Sequence, residues 1–169
     1  LYAAKEIYKL IVEHRPCLIF VNTRAQAELL FQALWVHNDL TLKIGLHHGS
    51  LEVGLRRKTE AAMARGELDA VVATSSLDLG IDWADIELVV QVGAPKGTSR
   101  LLQRIGRAGH RLDAPSRALI VPANRFEVFE ALAAKLNVEQ RLLDDLPAHE
   151  GALDVLAQHI VGRAVAGPF

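Results

Sequence analysis

Short apolar runs that alternate with amphipathic segments are the feature that most constrains how this chain can fold. Residues 17–21, Cys-Leu-Ile-Phe-Val, are continuously apolar. They lack the alternation of polar and apolar residues that is typical of a strand with one solvent-exposed face. Such a run is typical of a strand covered on both sides. Thr23 and Gln26 follow with the spacing of a capping box, which predicts that a helix begins there. Strand, tight turn and helix make the repeating unit of a parallel α/β sheet.

This unit recurs along the chain. Further apolar runs predict strands at 42–46, 69–74, 86–92 and 117–121. Helical patterns lie between them, at 1–13, at 51–65 with Ser50 as the expected cap, and at 125–136. Because strands and helices alternate through short connections, we expect an α/β fold with an open, mostly parallel sheet and helices on both faces.

Polar residues gather where the predicted strands end. Asn22-Thr23-Arg24 follows the first strand, His47 to Ser50 the second, Thr74-Ser75 the third and the arginine segment 99–111 the fourth. Ligands of such sheets bind at the carboxyl ends of the strands. These four stretches are therefore expected to form a single site.

The arginine segment, Ser99 to Arg111, holds the most concentrated charge. Between residues 88 and 112 there are five basic residues and no acidic one. If the segment is helical, four arginines share one stripe, namely Arg100, Arg104, Arg107 and Arg111. Like charges at this spacing repel, which points to an anionic partner such as phosphate. Gly106 and Gly109 weaken a helix, so we expect it to end near Gly106 with the later arginines on a loop.

Each of these features also has a purely structural interpretation. The basic stripe could be a solvated helix face, Asn22-Thr23-Arg24 only a helix cap with a surface arginine, and residues 71–82 only a capped short helix. His47 and His48 do not suggest a metal, since neighbours on a strand point to opposite faces and no suitably spaced ligands complete a tetrahedral site. A turn shaped by Gly49 is the preferred interpretation.

Composition sets the outer bounds. The chain has 169 residues, half of them hydrophobic, and a formal net charge of −1, which predicts a soluble globular domain and gives no general sign of nucleic-acid binding. Cys17 is expected to be buried in a reducing compartment. We predict a main domain at 1–140 and a linker helix within 141–169, and we expect both ends to continue into a longer protein.

Four motifs in order resemble those of superfamily 2 helicases. Gln-Arg-Ile-Gly-Arg-Ala-Gly at 103–109 resembles motif VI, residues 71–82 resemble motif V, residues 18–24 motif IV, and 47–50 the His-x-Gly element that follows it. The chain is therefore similar to the second RecA-like lobe, the P-loop NTPase-like C-terminal lobe, of an ATP-dependent helicase. The sequences of these motifs most resemble those of the Lhr (large helicase-related) family, in particular the ligase-associated DEXH-box branch.

The resemblance implies roles for individual residues. Gln103 and Arg107 would face the ATP γ-phosphate, with Arg107 stabilising transition-state charge. Where the family motif has its second arginine this chain has His110, followed by Arg111, so Arg111 is the weaker third catalytic candidate. Nucleotide contacts would come from Gly80, Asp82, Arg104 and Arg107. Nucleic-acid backbone contacts would come from Thr23, Arg24, Gly49, Thr74 and Ser75.

The resemblance also implies cofactors and partners. ATP and Mg²⁺ would be held mainly by a first lobe, because these residues contain neither a Gly-x-x-x-x-Gly-Lys-[Ser/Thr] phosphate loop nor Asp-Glu-x-His. The fragment alone is expected not to hydrolyse ATP. The expected partners are single-stranded nucleic acid, with DNA favoured over RNA, the first lobe, and a downstream winged-helix domain. The expected location is the bacterial cytoplasm, at the nucleoid and not at a membrane.

Two other functions remain open from the sequence. A degenerate lobe could keep the same surface and only dock nucleic acid or a protein partner. A small enzyme acting on phosphorylated metabolites would use the arginines as clamps and would need a general base, for which Asp78, Asp82 and His47 are the candidates.

Overall fold

A computed structural model of the chain describes residues 2–78, 86–108, 116–144 and 153–167. Within them, one sheet of five parallel strands has the order β2-β3-β1-β4-β5. Its strands are β1 (Cys17–Phe20), β2 (Ile44–His47), β3 (Ala70–Ala73), β4 (Leu88–Val92) and β5 (Ala118–Val121). The predicted parallel α/β fold is confirmed, and each strand lies within its predicted run or within one residue of it.

The helices follow the strands as predicted, with one error at a cap. They are α1 (Tyr2–Glu13), α2 (Arg24–Val36), α3 (Val53–Ala64), α4 (Thr98–Ile105), α5 (Glu127–Glu139) and α6 (Leu153–Ala166), with a short 3-10 helix at Ser75–Leu77. The prediction that Ser50 caps α3 is wrong. Glu52 occupies the N-cap without a side-chain bond, while the Ser50 hydroxyl accepts a hydrogen bond from Arg24.

The central strand β1 divides the core into two parts. Cys17 and Ile19 pack into one cluster with apolar residues of α1 and α2. Leu18 and Phe20 point the other way, into a cluster that contains Met63 of α3 and Leu77. All four β1 residues are at most 1% exposed, as expected of a strand covered on both sides. The prediction of helices on both faces is confirmed.

Cys17, the cysteine of the chain, is expected to be inert in the folded state. Burial, with the negative charge of Glu87 in second place, raises the pKa of its thiol from 9.0 to about 12. The thiolate is the reactive form, so we expect an aromatic disulfide reagent at about pH 8 to modify Cys17 only after urea unfolds the chain. Rapid modification of the native chain would contradict the prediction.

The same raised pKa makes stability depend on pH. Because the thiol keeps its proton to higher pH when folded, its contribution to stability is complete below pH 9.0 and is lost as the pH rises towards about 12. Urea unfolding across this range measures the loss. The Cys17→Ala variant, which has no thiol, reports what the other titrating groups contribute.

Helix α6 is exposed along its whole length. Six of its large apolar side chains are at least half exposed, namely Leu153, Val155, Leu156, Ile160, Val161 and Val165. Over the described residues, every helix is too short or too polar to cross a membrane. The division of the chain at residue 140 stays a prediction.

Candidate functional site

Three of the predicted stripe arginines converge on Asp78, which lies directly after the 3-10 helix. Arg104 Nε lies 2.8 Å from Asp78 Oδ1, and Arg104 Nη2 lies 3.3 Å from Oδ2. Arg100 Nε lies 3.5 Å from Asp78 Oδ2. Arg107 Nη2 donates to the main-chain carbonyl oxygen of Asp78 at 2.8 Å. The carboxylate missing from the arginine segment is therefore supplied by the connection after β3.

Arg104 is buried, which argues against the predicted contact with a nucleotide. The residue is 2% exposed. Its Nη1 donates to Gln91 Oε1 at 2.5 Å, and its guanidinium carbon lies 4.6 Å from the centroid of the Phe20 ring. Asp78, Gln91 and Phe20 thus enclose the charge inside the fold. We assign Arg104 a structural role, because the enclosed guanidinium has no exposed face to offer a phosphate.

Gln91 extends this buried network to the turn that follows β1, since its Nε2 lies 3.5 Å from Asn22 Oδ1. Its Nε2 donates to the carbonyl oxygens of Val92 at 3.1 Å and Gly93 at 3.2 Å. Asn22 Nδ2 donates to the carbonyl oxygen of Ala94 at 2.9 Å. Sequence reasoning missed Gln91, although one amide side chain inside an otherwise apolar strand is a signal that could have found it, because buried polar groups need partners.

Gly93 permits the close approach of these two turns. Its φ is +86°, and a Cβ placed on it would lie 2.8 Å from Asn22 Nδ2. Both the backbone conformation and the contact therefore favour glycine at this position.

Two of the three candidate catalytic side chains, Gln103 and Arg107, lie at the carboxyl end of α4. The helix ends at Ile105, before Gly106, as predicted. Gln103 is exposed on its last turn, and Arg107 is half-buried just beyond it. Gly80, Asp82 and Arg111, together with His110, lie outside the described residues.

The candidate nucleic-acid contacts follow the carboxyl ends of three neighbouring strands, β1, β2 and β3. Arg24 Nη1 donates to the Ser50 hydroxyl, which joins the turn after β1 to the turn after β2. The Thr74 amide donates to the His47 carbonyl oxygen at 3.2 Å, which joins β3 to β2. Thr74 is buried, whereas the other four candidates are exposed, namely Thr23, Arg24, Gly49 and Ser75. The structure brings all five to one edge of the sheet.

Thr23 is the predicted cap of α2. Its Oγ1 accepts from the Gln26 amide at 3.2 Å, and Gln26 Oε1 accepts from the Thr23 amide at 3.2 Å. The capping box is confirmed. Since the hydroxyl acts as an acceptor here, its proton is still available to a further acceptor such as a phosphate oxygen. Capping and phosphate binding are therefore compatible at Thr23.

The two histidines serve the fold. His47 is 1% exposed, with Nδ1 2.8 Å from Ser76 Oγ and Nε2 2.8 Å from Glu60 Oε1. His48 Nδ1 accepts from the Ser50 amide at 3.3 Å. Across the described residues, no three His, Cys, Asp or Glu side chains form a group able to hold a metal. With His47 bonded at both ring nitrogens and Asp78 occupied by Arg104, neither is free to act as the general base of a small enzyme.

The amino end of α4 is held by a residue far along the chain, a feature that sequence reasoning missed. Asp144 Oδ1 accepts from the Thr98 amide at 2.9 Å, and Oδ2 accepts from the Ser99 amide at 2.8 Å. These hydrogen bonds, the one from Ser99 first, lower the pKa of Asp144 below its ordinary value of 3.8. Asn137 Nδ2 of α5 donates to Thr98 Oγ1 at 3.2 Å. No local pattern could reveal a cap supplied from so far away.

The parallel sheet, with its arginine helix after β4, is that of a helicase C-terminal lobe. Residues 3–111 match the family described as helicase conserved C-terminal domain, and the chain belongs to that family. Within it, the resemblance to Lhr helicases is confirmed by the relatives. The chain is 42% identical to the ATP-dependent helicase Lhr-Core of Methanothermobacter thermautotrophicus over 96% of this chain and 19% of that protein. It is also 42% identical to the Lhr helicase/uracil glycosylase of Escherichia coli, over 70% of this chain and 8% of that protein.

Solved structures agree with the sequence relatives. The Mycobacterium smegmatis helicase Lhr bound to ssDNA and AMP-PNP has a TM-score of 0.85 and 35% identity, covering 99% of this chain and 22% of that one. Dbp5 of S. cerevisiae bound to RNA and ADP BeF3, at a TM-score of 0.68 and 21% identity over 80% of this chain and 35% of that one, shares the fold alone. The chain therefore spans only 19% of the length of the Methanothermobacter thermautotrophicus Lhr-Core helicase.

Proposed function

We propose that this chain is the second motor lobe of an ATP-dependent helicase or translocase that moves along single-stranded nucleic acid, with DNA favoured. The observation that carries the proposal is the shared edge of the sheet, where the turns after β1, β2 and β3 meet beside the arginine helix that follows β4. The Mycobacterium smegmatis Lhr structure, bound to ssDNA and AMP-PNP, supports it.

In this proposal the lobe contributes polar and charged side chains to a nucleotide that is held mainly by the first lobe. Gln103 and Arg107 face the γ-phosphate, and Arg107 stabilises the charge that develops as the phosphoryl group is transferred. By family resemblance, Gly80 and Asp82 add nucleotide contacts, and Arg111 is the weaker third catalytic candidate. The sequence contains neither a phosphate loop nor Asp-Glu-x-His, so in this proposal ATP and Mg²⁺ are held mainly by the first lobe.

The proposed motor cycle rests on the family resemblance and involves both lobes of the longer protein. ATP draws the lobes together, hydrolysis lets them separate, and the strand held across both is moved in steps. The backbone of that strand lies on Thr23, Arg24, Gly49, Thr74 and Ser75. Helix α6 leads towards a downstream winged-helix domain.

ATP hydrolysis by the longer protein tests the proposal. We expect turnover that single-stranded DNA stimulates more than RNA of the same length, and no turnover from the 169-residue chain alone. If the longer protein lacks turnover with either nucleic acid, the lobe is instead a docking module. A broken phosphate loop upstream would favour that second function.

Replacing Arg24 tests the nucleic-acid track separately. A side chain that contacts only phosphate supports affinity without reading sequence, so Arg24→Ala should weaken binding of the longer protein about equally for all sequences and lower the magnitude of the salt slope by about 1. Fluorescence anisotropy with labelled DNA and RNA oligonucleotides over a salt series measures both quantities.

The matched control for Arg24 is Arg65→Ala. Arg65 follows α3 and pairs with Glu67 on the surface, with Nε 2.6 Å from Glu67 Oε1. We expect wild-type affinity and salt slope from this variant. An Arg24→Ala variant that behaves like the control would remove Arg24 from the track.

A further inference from the structure

Helix α4, which carries the arginines, has no cap of its own. Its N-cap residue is Gly97, which has no side chain to accept a hydrogen bond from the first turn. The free amides of Thr98 and Ser99 are taken instead by the two carboxylate oxygens of Asp144, which lies 46 and 45 residues further along the chain. Unpaired amides at a helix start need such an acceptor, and a negative charge there also opposes the helix dipole favourably.

The contact is close and sterically specific. Gly97 has a φ of +100°, and a Cβ placed on it would lie 2.6 Å from Asp144 Oδ2. The backbone conformation favours glycine at this position, and a side chain there would displace the Asp144 carboxylate. The bond from Asn137 to Thr98 Oγ1 adds a second contact from the same part of the chain. The carboxylate therefore fits a prepared position.

The two ends of α4 are consequently held by different parts of the protein. At the carboxyl end, Arg104 is bound to Asp78, which follows β3. At the amino end, the anchor is Asp144, which follows α5. A helix of 8 residues is a short rigid rod, so fixing both ends also fixes the position of Arg107 just beyond it.

We propose that Asp144 is a positioning residue for the arginine helix, through which the residues that follow α5 set the position of Arg107. Asp144 touches neither nucleotide nor nucleic acid in this proposal and acts only through α4. It belongs functionally to the motor lobe, although the sequence placed it beyond the predicted boundary at 140. The effect on ATP hydrolysis rests on the proposed function, whereas the effect on α4 does not.

Amide hydrogen exchange on the 169-residue chain tests the structural part. In Asp144→Ala we expect amides of α4 to exchange about fivefold to tenfold faster, because the helix loses its cap. Asp144→Asn keeps one acceptor oxygen and should give a smaller increase. Exchange in α4 that matches wild type in Asp144→Ala would overturn the proposal.

Tyr8→Phe is the matched control for general destabilisation. The Tyr8 hydroxyl donates to Asn38 Oδ1 at 3.2 Å and accepts from the Leu40 amide at 3.2 Å, so its loss costs two hydrogen bonds near α1. We expect faster exchange there and wild-type exchange in α4. Equal acceleration of α4 in Tyr8→Phe and Asp144→Ala would overturn the proposal, since the effect would then be global.

ATP hydrolysis by the longer protein tests the coupling to Arg107. Asp144→Ala should lower kcat about tenfold and leave KM for ATP and the affinity for DNA within about twofold, because misplaced catalytic groups cost rate without removing a binding contact. Asp144→Asn should recover part of the loss. An unchanged kcat beside faster α4 exchange would overturn the coupling. If the wild type hydrolyses no ATP, the proposed motor function fails, and the exchange measurement alone decides whether Asp144 holds α4.

Discussion

The Arg107→Ala variant of the longer protein is expected to lose nucleic-acid-stimulated ATP hydrolysis by about a thousandfold or more, the range typical of a missing arginine finger. Arg107 lies one residue past the glycine that ends α4, and its guanidinium donates to the Asp78 carbonyl oxygen. It is therefore tethered to the edge of the sheet where the proposed nucleotide contacts converge. Phosphate release at saturating single-stranded DNA and fixed low salt measures kcat.

Binding must be measured beside turnover for this result to identify a catalytic role. We expect Arg107→Ala to keep nearly full affinity for DNA, because the proposed strand contacts lie on other turns. Arg107→Lys keeps the charge but loses the planar fork of donors, so it should restore little activity. Arg65→Ala serves again as the surface-arginine control. If Arg107→Ala hydrolyses ATP at the wild-type rate, the arginine segment is a docking surface instead.

The second large effect concerns stability. Asp78→Ala and Arg104→Ala are each expected to lower the free energy of unfolding by about 3–5 kcal/mol, because each leaves a buried charge without the partner that binds it through two hydrogen bonds. The side chains of Arg104 and Asp78 are 3% and 9% exposed. Urea unfolding of the 169-residue chain measures the loss.

Arg100→Ala is the matched control for the buried pair. Its Nε lies 3.5 Å from the same carboxylate, but the side chain is 46% exposed, and exposed pairs contribute at most about 1 kcal/mol. Replacing both partners, as Asp78→Leu with Arg104→Met, should cost less than the sum of the single changes, since neither charge is then buried alone. If Asp78→Ala costs no more than Arg100→Ala, the carboxylate does not stabilise the fold.

Features that depend on neighbouring residues could be predicted from the sequence. The strand β1 follows from its continuous apolar run, the start of α2 from Thr23 and Gln26, and the end of α4 from Gly106. In each case the interaction that decides the structure lies within a few residues of the pattern.

Features that depend on distant residues could not be predicted in this way. Because residues 88–112 contain no acidic residue, the sequence predicts that the arginines bind an external anion. In the structure, the carboxylate that binds Arg104 is Asp78, which lies outside that segment. Ser50 has the right residue type and spacing for a helix cap, but it bonds Arg24 instead. Asp144 and its contact with α4 arise only from packing. The sequence shows which residues are charged, whereas the topology of the fold decides which partners they contact.

The order of the strands gives the tripeptide 22–24 a particular mechanical position. It follows the central strand, with β3 and β2 on one side and β4 on the other. Asn22 bonds Ala94 on the β4 side, and Arg24 bonds Ser50 on the β2 side. Two residues of extended chain span only about 7 Å. A displacement of this tripeptide would therefore change contacts on both sides of the central strand together.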